Sequence, residues 1–283
     1  MNGTQRLFHR PITRGVPGLP AIALLLGVAL TLVPAGARAD DAEAREIMER
    51  VNDRDDGDNR ISDVRMVLID KNGNERIRET RSYIKDKGDD TLNLIFFLSP
   101  ADVENTGFLT YDYDEPGKDD DQWLYLPALR KTKRIASDDK SGSFMGTDFN
   151  FSDLTEPDLE DYDYKLLKED EVGGHMTWRI EIVPRSEEVM DEIGYSKTVV
   201  WVRQDNHVVI RAVNWVYKSR RRKFMQVTKL EQVDGVWTSL EIKMVTKEGR
   251  TVVHSTILQF SNVRYNQDLS EDMFTVRRLE KGA

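Results

Sequence analysis

The chain has 283 residues, 41 basic against 50 acidic side chains for a net charge of −9, and no cysteine. That balance argues against nucleic acid as a partner. The missing thiols exclude disulfide staples, thiolate metal sites and a lipid-modified export signal, which needs a Cys at its cleavage point.

The first element in chain order is a leader. Arg6, Arg10 and Arg14 precede a thirteen-residue apolar run, Ala21 to Val33, and Ala37-Arg38-Ala39 fits the small-x-small cleavage rule. The run falls short of the roughly twenty residues that span a bilayer. Residues 1–39 are therefore expected to be a secretory signal peptide cleaved near Ala39-Asp40, with a retained membrane anchor as the alternative. The leader carries four arginines and no acid, which leaves residues 40–283 with 37 basic and 50 acidic side chains, net −13. These 244 residues are expected to form a single domain.

Asp41 to Asn52 reads as a helix, with Ala44, Ile47, Met48 and Val51 on one face. Asp53 to Asn59 breaks it, and strands then dominate. Ile61 to Ile69 ends at Asn72-Gly73, a hairpin signal, and Arg76 to Lys85 returns. Thr91 to Leu98 is apolar almost throughout and is expected to be a central strand covered on both faces. Gly107 to Tyr113, Trp123 to Leu126 and Thr132 to Ile135 continue the series. Asp138 to Ser143 and Ser152 to Asp161 read as exposed loops, the second partly helical. Strands follow at Tyr162–Leu167, Met176–Val183, Lys197–Val202, Val208–Tyr217, Lys223–Leu230, Val236–Thr246 and Thr251–Phe260, several of them separated by turn pairs such as Gly173-Gly174 and Asp234-Gly235. Short strands at this spacing imply a barrel or sandwich. A membrane-spanning barrel is disfavoured, because Arg76–Lys85 and Arg220–Leu230 carry too many charges for a lipid-facing strand.

The segment Trp123 to Leu154 is the most informative. It reads W-L-Y-L-P-A-L-R-K-x-x-R-I, then S-F-M-G-T-D-F-x-F-x-D-L. Upstream stands F-x-x-P-x-D-x-x-x-T-G-F-L-x-Y from Phe97 to Tyr111, and near the end D-x-F from Asp272 to Phe274. Together these motifs resemble the LolA-like outer-membrane lipoprotein-sorting proteins over nearly all of the chain after residue 40. The resemblance implies a mainly β (α+β) fold, an unclosed antiparallel half-barrel with a few helices covering an apolar cavity. It also implies a periplasmic, non-enzymatic carrier of lipidated protein or lipid acyl chains, with an inner-membrane exporter and an outer-membrane acceptor as partners.

Trp123, Tyr125, Phe144, Phe149 and Phe151 are the expected apolar lining, with Phe97 and Phe108 beside them; the same rings suit a barrel core, which in an incomplete barrel is the same surface. Arg130 and Arg134 are expected to orient the polar end of the cargo. Arg221 and Arg222 lie in a run of four cations, Arg220 to Lys223, which is either a solvated hairpin tip or a contact for anionic headgroups or an acidic partner.

No catalytic residue, metal ligand set or cofactor is assigned. His175, His207 and His254 have no companion ligand at metal spacing on one element. The acidic stretch from Asp53 puts Gly57 fifth and Val64 twelfth, where a calcium loop needs Gly sixth and Glu twelfth. No G-x-S-x-G elbow exists. Alternatives to the carrier are an accessory lipid-binding subunit of a membrane exporter and a lipid hydrolase.

Overall fold

The computed structural model describes residues 40–283, so the expected leader and its cleavage point near Ala39-Asp40 lie outside the described residues. A helix, α1 (Ala42–Asn52), comes first. Six strands follow: β1 (Asn59–Asp70), β2 (Glu75–Lys87), β3 (Asp90–Ser99), β4 (Gly107–Asp112), β5 (Asp121–Leu126) and β6 (Lys131–Ile135). A segment of short 3₁₀ turns leads to β7 (Tyr162–Val172) and β8 (His175–Pro184), then α2 (Glu187–Ile193). The chain continues through β9 (Tyr195–Arg203), β10 (Val209–Val216), β11 (Arg221–Val233), β12 (Val236–Glu248) and β13 (Thr251–Tyr265) to a short α3 (Val276–Leu279). Among the described residues no helix is long and apolar enough to cross a membrane.

All thirteen strands pair in one sheet, in the order β6-β5-β4-β3-β2-β1-β13-β12-β11-β10-β9-β8-β7. Two meanders are joined where the first strand pairs antiparallel with the last, Val64 opposite Phe260 and Leu68 opposite Thr256. The strands β6 and β7, consecutive in sequence, form the two free edges, so the sheet does not close. This is the mainly β, unclosed half-barrel that the resemblance implied. Tight turns hold the meander together. Asp234 and Gly235 both take positive φ, 52° and 90°, matching the twist of the flanking strands.

Side chains alternate between two faces, and three apolar clusters cover them. On the inner face Val64, Met66, Leu68, Ile95, Phe97, Phe108, Leu124 and Ile135 gather around Phe144. The same face carries a second cluster, in which Ala44, Ile47 and Met48 of α1 pack on Tyr164, Ile180, Val200 and Ala212. The helix is oriented by its N-cap, Asp41, whose carboxylate accepts from the Glu43 amide at 3.1 Å. Arg45 fastens it to the free edge, donating to the carbonyls of Leu159 and Tyr162 at 3.1 Å each.

On the outer face Leu92, Leu94, Phe96 and Leu109 are covered by Leu269, Phe274 and Leu279 of the C-terminal tail. The strand β3 is thus apolar on both sides, as its sequence implied. Gly107 has no Cβ because none fits: one built there would meet Leu279 Cδ1 at 2.5 Å and Phe96 Cε1 at 3.2 Å.

Two departures from the sequence reading matter. The short helices α2 and α3 were not expected. The stretch from Asp138 to Leu154 is less exposed than its two polar ends suggest: Asp138, Asp139, Gly142 and Ser143 are exposed as expected, but Lys140 is 3% exposed, and Ser152 to Leu154 are half-buried. It runs from the edge strand β6 across the inner face, where apolar strand residues and rings of the segment cover each other.

Candidate functional site

The site is built where residues 137–154 cross the inner face. Phe144 and Phe151 pack their rings edge to face at 5.6 Å, and both meet Phe108, at 5.1 and 5.6 Å between centroids. Phe97 lies 6.1 Å from Phe144. Phe97, Phe108 and Phe144 are buried and Phe151 half-buried, which makes this the apolar anchor of the segment. The backbone between the anchors bends sharply. Met145 and Gly146 both take positive φ, 50° and 76°; a left-handed Met costs about 1 kcal/mol or more, which the surrounding contacts must offset. Arg78, stacked on the Phe97 ring at 5.9 Å, donates to the Met145 carbonyl and holds the bend.

Polar side chains fix the rest. Asp148 is 4% exposed and reaches across to β12 and β13. It accepts from Thr246 Oγ1 at 2.5 Å and Thr256 Oγ1 at 2.7 Å, and His254 Nδ1 stands 2.7 Å from its Oδ2. Its own amide donates to Thr256 Oγ1 at 3.0 Å. Two residues on, Asn150 accepts from the buried Lys223 Nζ at 2.6 Å and donates to the Ile193 carbonyl at 2.9 Å. Lys223 also donates to Tyr195 Oη at 3.2 Å, and that hydroxyl donates to Asp153 at 2.8 Å. Burial lowers the Lys223 amine below the usual lysine range, with Asp153 and Asp148 opposing the shift. Burial raises Asp153, against the pull of Lys223. A cation and two carboxylates are thus taken out of water together, each in a hydrogen-bond network, which is the condition under which buried charge is tolerated.

The register leaves a gap between the two inner clusters. Val227 pairs with Ile242, and Ile242 with Leu258. All three are half-buried; Leu258 packs on the Phe144 cluster, while Val227 and Ile242 belong to neither cluster. The next row holds Met225 and Met244, and the row after it Lys223, Thr246 and His254. An apolar strip therefore runs along the middle of the half-barrel and ends at the polar network. Beside that network lies a cavity of about 190 Å³, reached by Ser141, Asn150, Gly194, Tyr217 and Lys223. A second, of about 320 Å³, lies on the outer face between Leu92, Tyr111 and the tail residues Phe274 and Thr275.

The residues singled out in the sequence fall into three places. Phe97, Phe108, Phe144 and Phe151 are brought together on the inner face. Phe149 is half-buried in the same segment, where its carbonyl accepts from the Phe144 amide at 2.7 Å. Trp123 and Tyr125 point the other way, into the outer cluster beneath the tail, with Trp123 edge-on to Tyr111 at 5.1 Å. Arg130 is exposed in the turn between β5 and β6 at φ 47°. Arg134 lies opposite Trp123, on the outer face, and is paired with Asp121. Arg221 pairs with Glu248 at 3.3 Å, and Arg222 stacks over Phe224 on the outer face. The polar residues of the network, Asp148, Lys223 and His254, were not linked by the sequence. Asp148 and His254 stand 106 residues apart, and only strand register joins them.

A family profile described as an uncharacterized protein matches residues 89–281. No curated protein matches the chain. Among solved structures, a DUF1329 family protein from Desulfovibrio piger is 31% identical, covering 84% of this chain and 98% of that one, with a TM-score of 0.76. A putative outer membrane lipoprotein-sorting protein domain from Vibrio parahaemolyticus is 30% identical over 84% and 98% of the two chains, TM-score 0.75. A LolA superfamily protein from Nitrosomonas europaea shares the fold at 17% identity, covering 83% and 98%, TM-score 0.63.

Proposed function

This chain belongs to the LolA-like family of outer-membrane lipoprotein-sorting proteins, and from that premise we propose that it is a periplasmic carrier that shelters acyl chains of a lipid or lipidated protein on its inner face. Moving that cargo from an inner-membrane exporter to an outer-membrane acceptor is the task such a carrier would perform. The observation that supports it is the half-buried strip of Val227, Ile242 and Leu258 between two covered clusters.

The physical problem is desorption. A buried methylene is worth about 0.8 kcal/mol, so a sixteen-carbon chain is held in a bilayer by roughly 12 kcal/mol. A carrier must offer apolar surface of similar quality, and it needs no covalent chemistry to do so. Ligand pockets for small molecules run to about 300–1,000 Å³, more than the 190 Å³ beside the polar network. The proposal therefore gives residues 137–154 the role of a cover. Cargo displaces the cover from the cluster beside the strip, and the phenylalanines it leaves behind, Phe97 and Phe108, join the strip in the lining. The left-handed Met145 suits such a role, since a strained bend gains by moving.

The test is solvent extraction of the secreted protein, purified without detergent, followed by mass spectrometry. One acyl lipid or lipopeptide per chain is the expected result. Protein that is lipid-free as isolated, and that takes up none from vesicles, overturns the reading.

A further inference from the structure

The C-terminal tail covers the outer face over β3 to β5; across β8 to β13 that face carries a patterned mixture of cations and rings, with Val199 and Trp201 buried among them. Residues directly opposite in a ladder point the same way, so the register draws three outward rows. One holds Arg179, Trp201, Arg211, Gln226, Lys243 and Ile257. The next holds Glu181, Val199, Val213, Phe224, Val245 and Ser255. The third holds Lys197, Trp215, Arg222, Lys247 and Val252.

The cations lie on the rings. Trp201 sits beneath Arg179 and Arg211, at 4.9 and 5.6 Å from its centroid. Trp215 carries Lys197 at 4.4 Å. Phe224 carries Lys247 at 4.9 Å and Arg222 at 5.8 Å. A ring quadrupole positions a cation without neutralising it. Among the described residues of these rows, Lys197 has Glu181 at 3.1 Å and Arg179 has Asp170 at 3.7 Å, and Lys243 lies in the field of Glu241 on the same face. Among the described residues Arg211, Arg222, Lys243 and Lys247 have no carboxylate within 4.0 Å. In a chain of net charge −9, this face is a local positive field with half-buried Val213, Phe224, Val245 and Ile257 at its centre. The exposed Arg220 extends it at the β10–β11 hairpin.

We propose that this outer face docks on an anionic lipid bilayer. Long cationic stems lying over aromatic rings, with aliphatic side chains between them, match the headgroup boundary, where basic residues meet anionic lipid and amphipathic rings settle. The outer face of a half-barrel turns its opposite side, the inner strip, away from the membrane. The docking surface stands independently of what the inner face carries.

The test is co-sedimentation of the purified protein with phosphatidylcholine vesicles and with vesicles containing about one-third phosphatidylglycerol. Binding is expected to the anionic vesicles alone, weakening as salt shortens the Debye length to about 8 Å and below. Arg222→Glu and Lys247→Glu should each lower partitioning about fivefold or more, with circular dichroism unchanged. Arg134→Glu, which alters a cation outside the patch, should leave it as it was. Equal binding to both vesicles, or no loss on charge reversal, overturns the proposal. So does retention on immobilised polyglutamate without vesicle binding, which would make the partner an acidic protein surface.

Discussion

Asp148 Oδ2 stands 2.7 Å from His254 Nδ1, so that a residue of the inner segment and a residue of β13 share a contact across 106 positions of sequence. With the two threonine hydroxyls of Thr246 and Thr256 on the same carboxylate, this is the polar fastening of the segment to the far half of the sheet. Replacing the aspartate leaves buried hydroxyls without their acceptor, at about 1–3 kcal/mol for the unsatisfied groups. Asp148→Ala should therefore lower the melting temperature. It should also speed hydrogen exchange at the amides of Phe144, Thr147 and Phe149 more than at those of β1 or β13. Uniform acceleration over the whole chain would mean that the contact supports the fold at large and not the segment.

The apolar strip predicts a difference between faces. Ile242→Asp places a carboxylate among Val227 and Leu258 on the inner face and should reduce co-purifying acyl lipid about tenfold. Phe149→Asp, in the covering segment, should reduce it as well. Trp123→Ala opens space in the outer cluster, costs about 3–5 kcal/mol of stability, and should leave lipid content per folded molecule unchanged. Lipid mass spectrometry on the folded fraction reads all three.

Gly107 tests the tail. A methyl group there collides with Leu279 Cδ1, so Gly107→Ala should lift α3 from β4. Overpacking of this kind costs about 1–3 kcal/mol. Limited proteolysis should then release a fragment ending near residue 266, whereas the parent chain resists.

A group of carboxylates near the open ends of β2 and β4 sets a pH dependence. Burial, with Asp120 beside it, pushes Asp112 up to about 8. Burial, then Asp56 and Asp58, pushes Asp86 up to about 6. Both values exceed the unfolded carboxylate, near 4. As pH rises from about 4 to 8 the unfolded chain releases these protons while the folded chain keeps them, so stability falls across that window and levels off above it. Asp112→Asn removes the burden at high pH while keeping an oxygen for the Glu156 amide, which Asp112 accepts at 2.8 Å. The variant should gain at least about 1 kcal/mol at pH 8.5, or about 2–4 °C in Tm, and little at pH 4.5. A gain that is the same at both values would rule out titration as its cause.

Much of this fold was legible because its strands are long and its turns carry their own chemistry. The apolar run in β3 announced cover on both faces, and Asp234-Gly235 announced a hairpin. The sequence Trp123-Leu124-Tyr125-Leu126 also showed its alternation plainly, Leu124 on one face and the two rings on the other. What alternation does not say is which face is inner. That depends on where the tail and residues 137–154 come to rest, and so the sequence alone places Trp123 and Tyr125 with rings that lie on the opposite side. Asp138–Ser143 and Ser152–Asp161 read as exposed because they are polar, yet polar groups here and between them are the fastenings: Asp148, Asn150 and Asp153 find partners on β9 to β13 that no local pattern reveals. The helix α2 had a signal, Ser186 as N-cap and Gly194 as its left-handed end at φ 79°, but its seven residues were too few to show a period.

No ladder of backbone bonds ties β6 to β7, and this gives the trough an adjustable width. What spans from one rim toward the other is side-chain chemistry: Lys140 to Glu192 at 2.5 Å, with Asn150 and Ser152 both on the Ile193 carbonyl. Rim spacing is therefore a soft coordinate, governed by a few replaceable clasps rather than by any strand. For the carrier proposed above, the girth of guest is then set at those clasps, with all thirteen strands left in register.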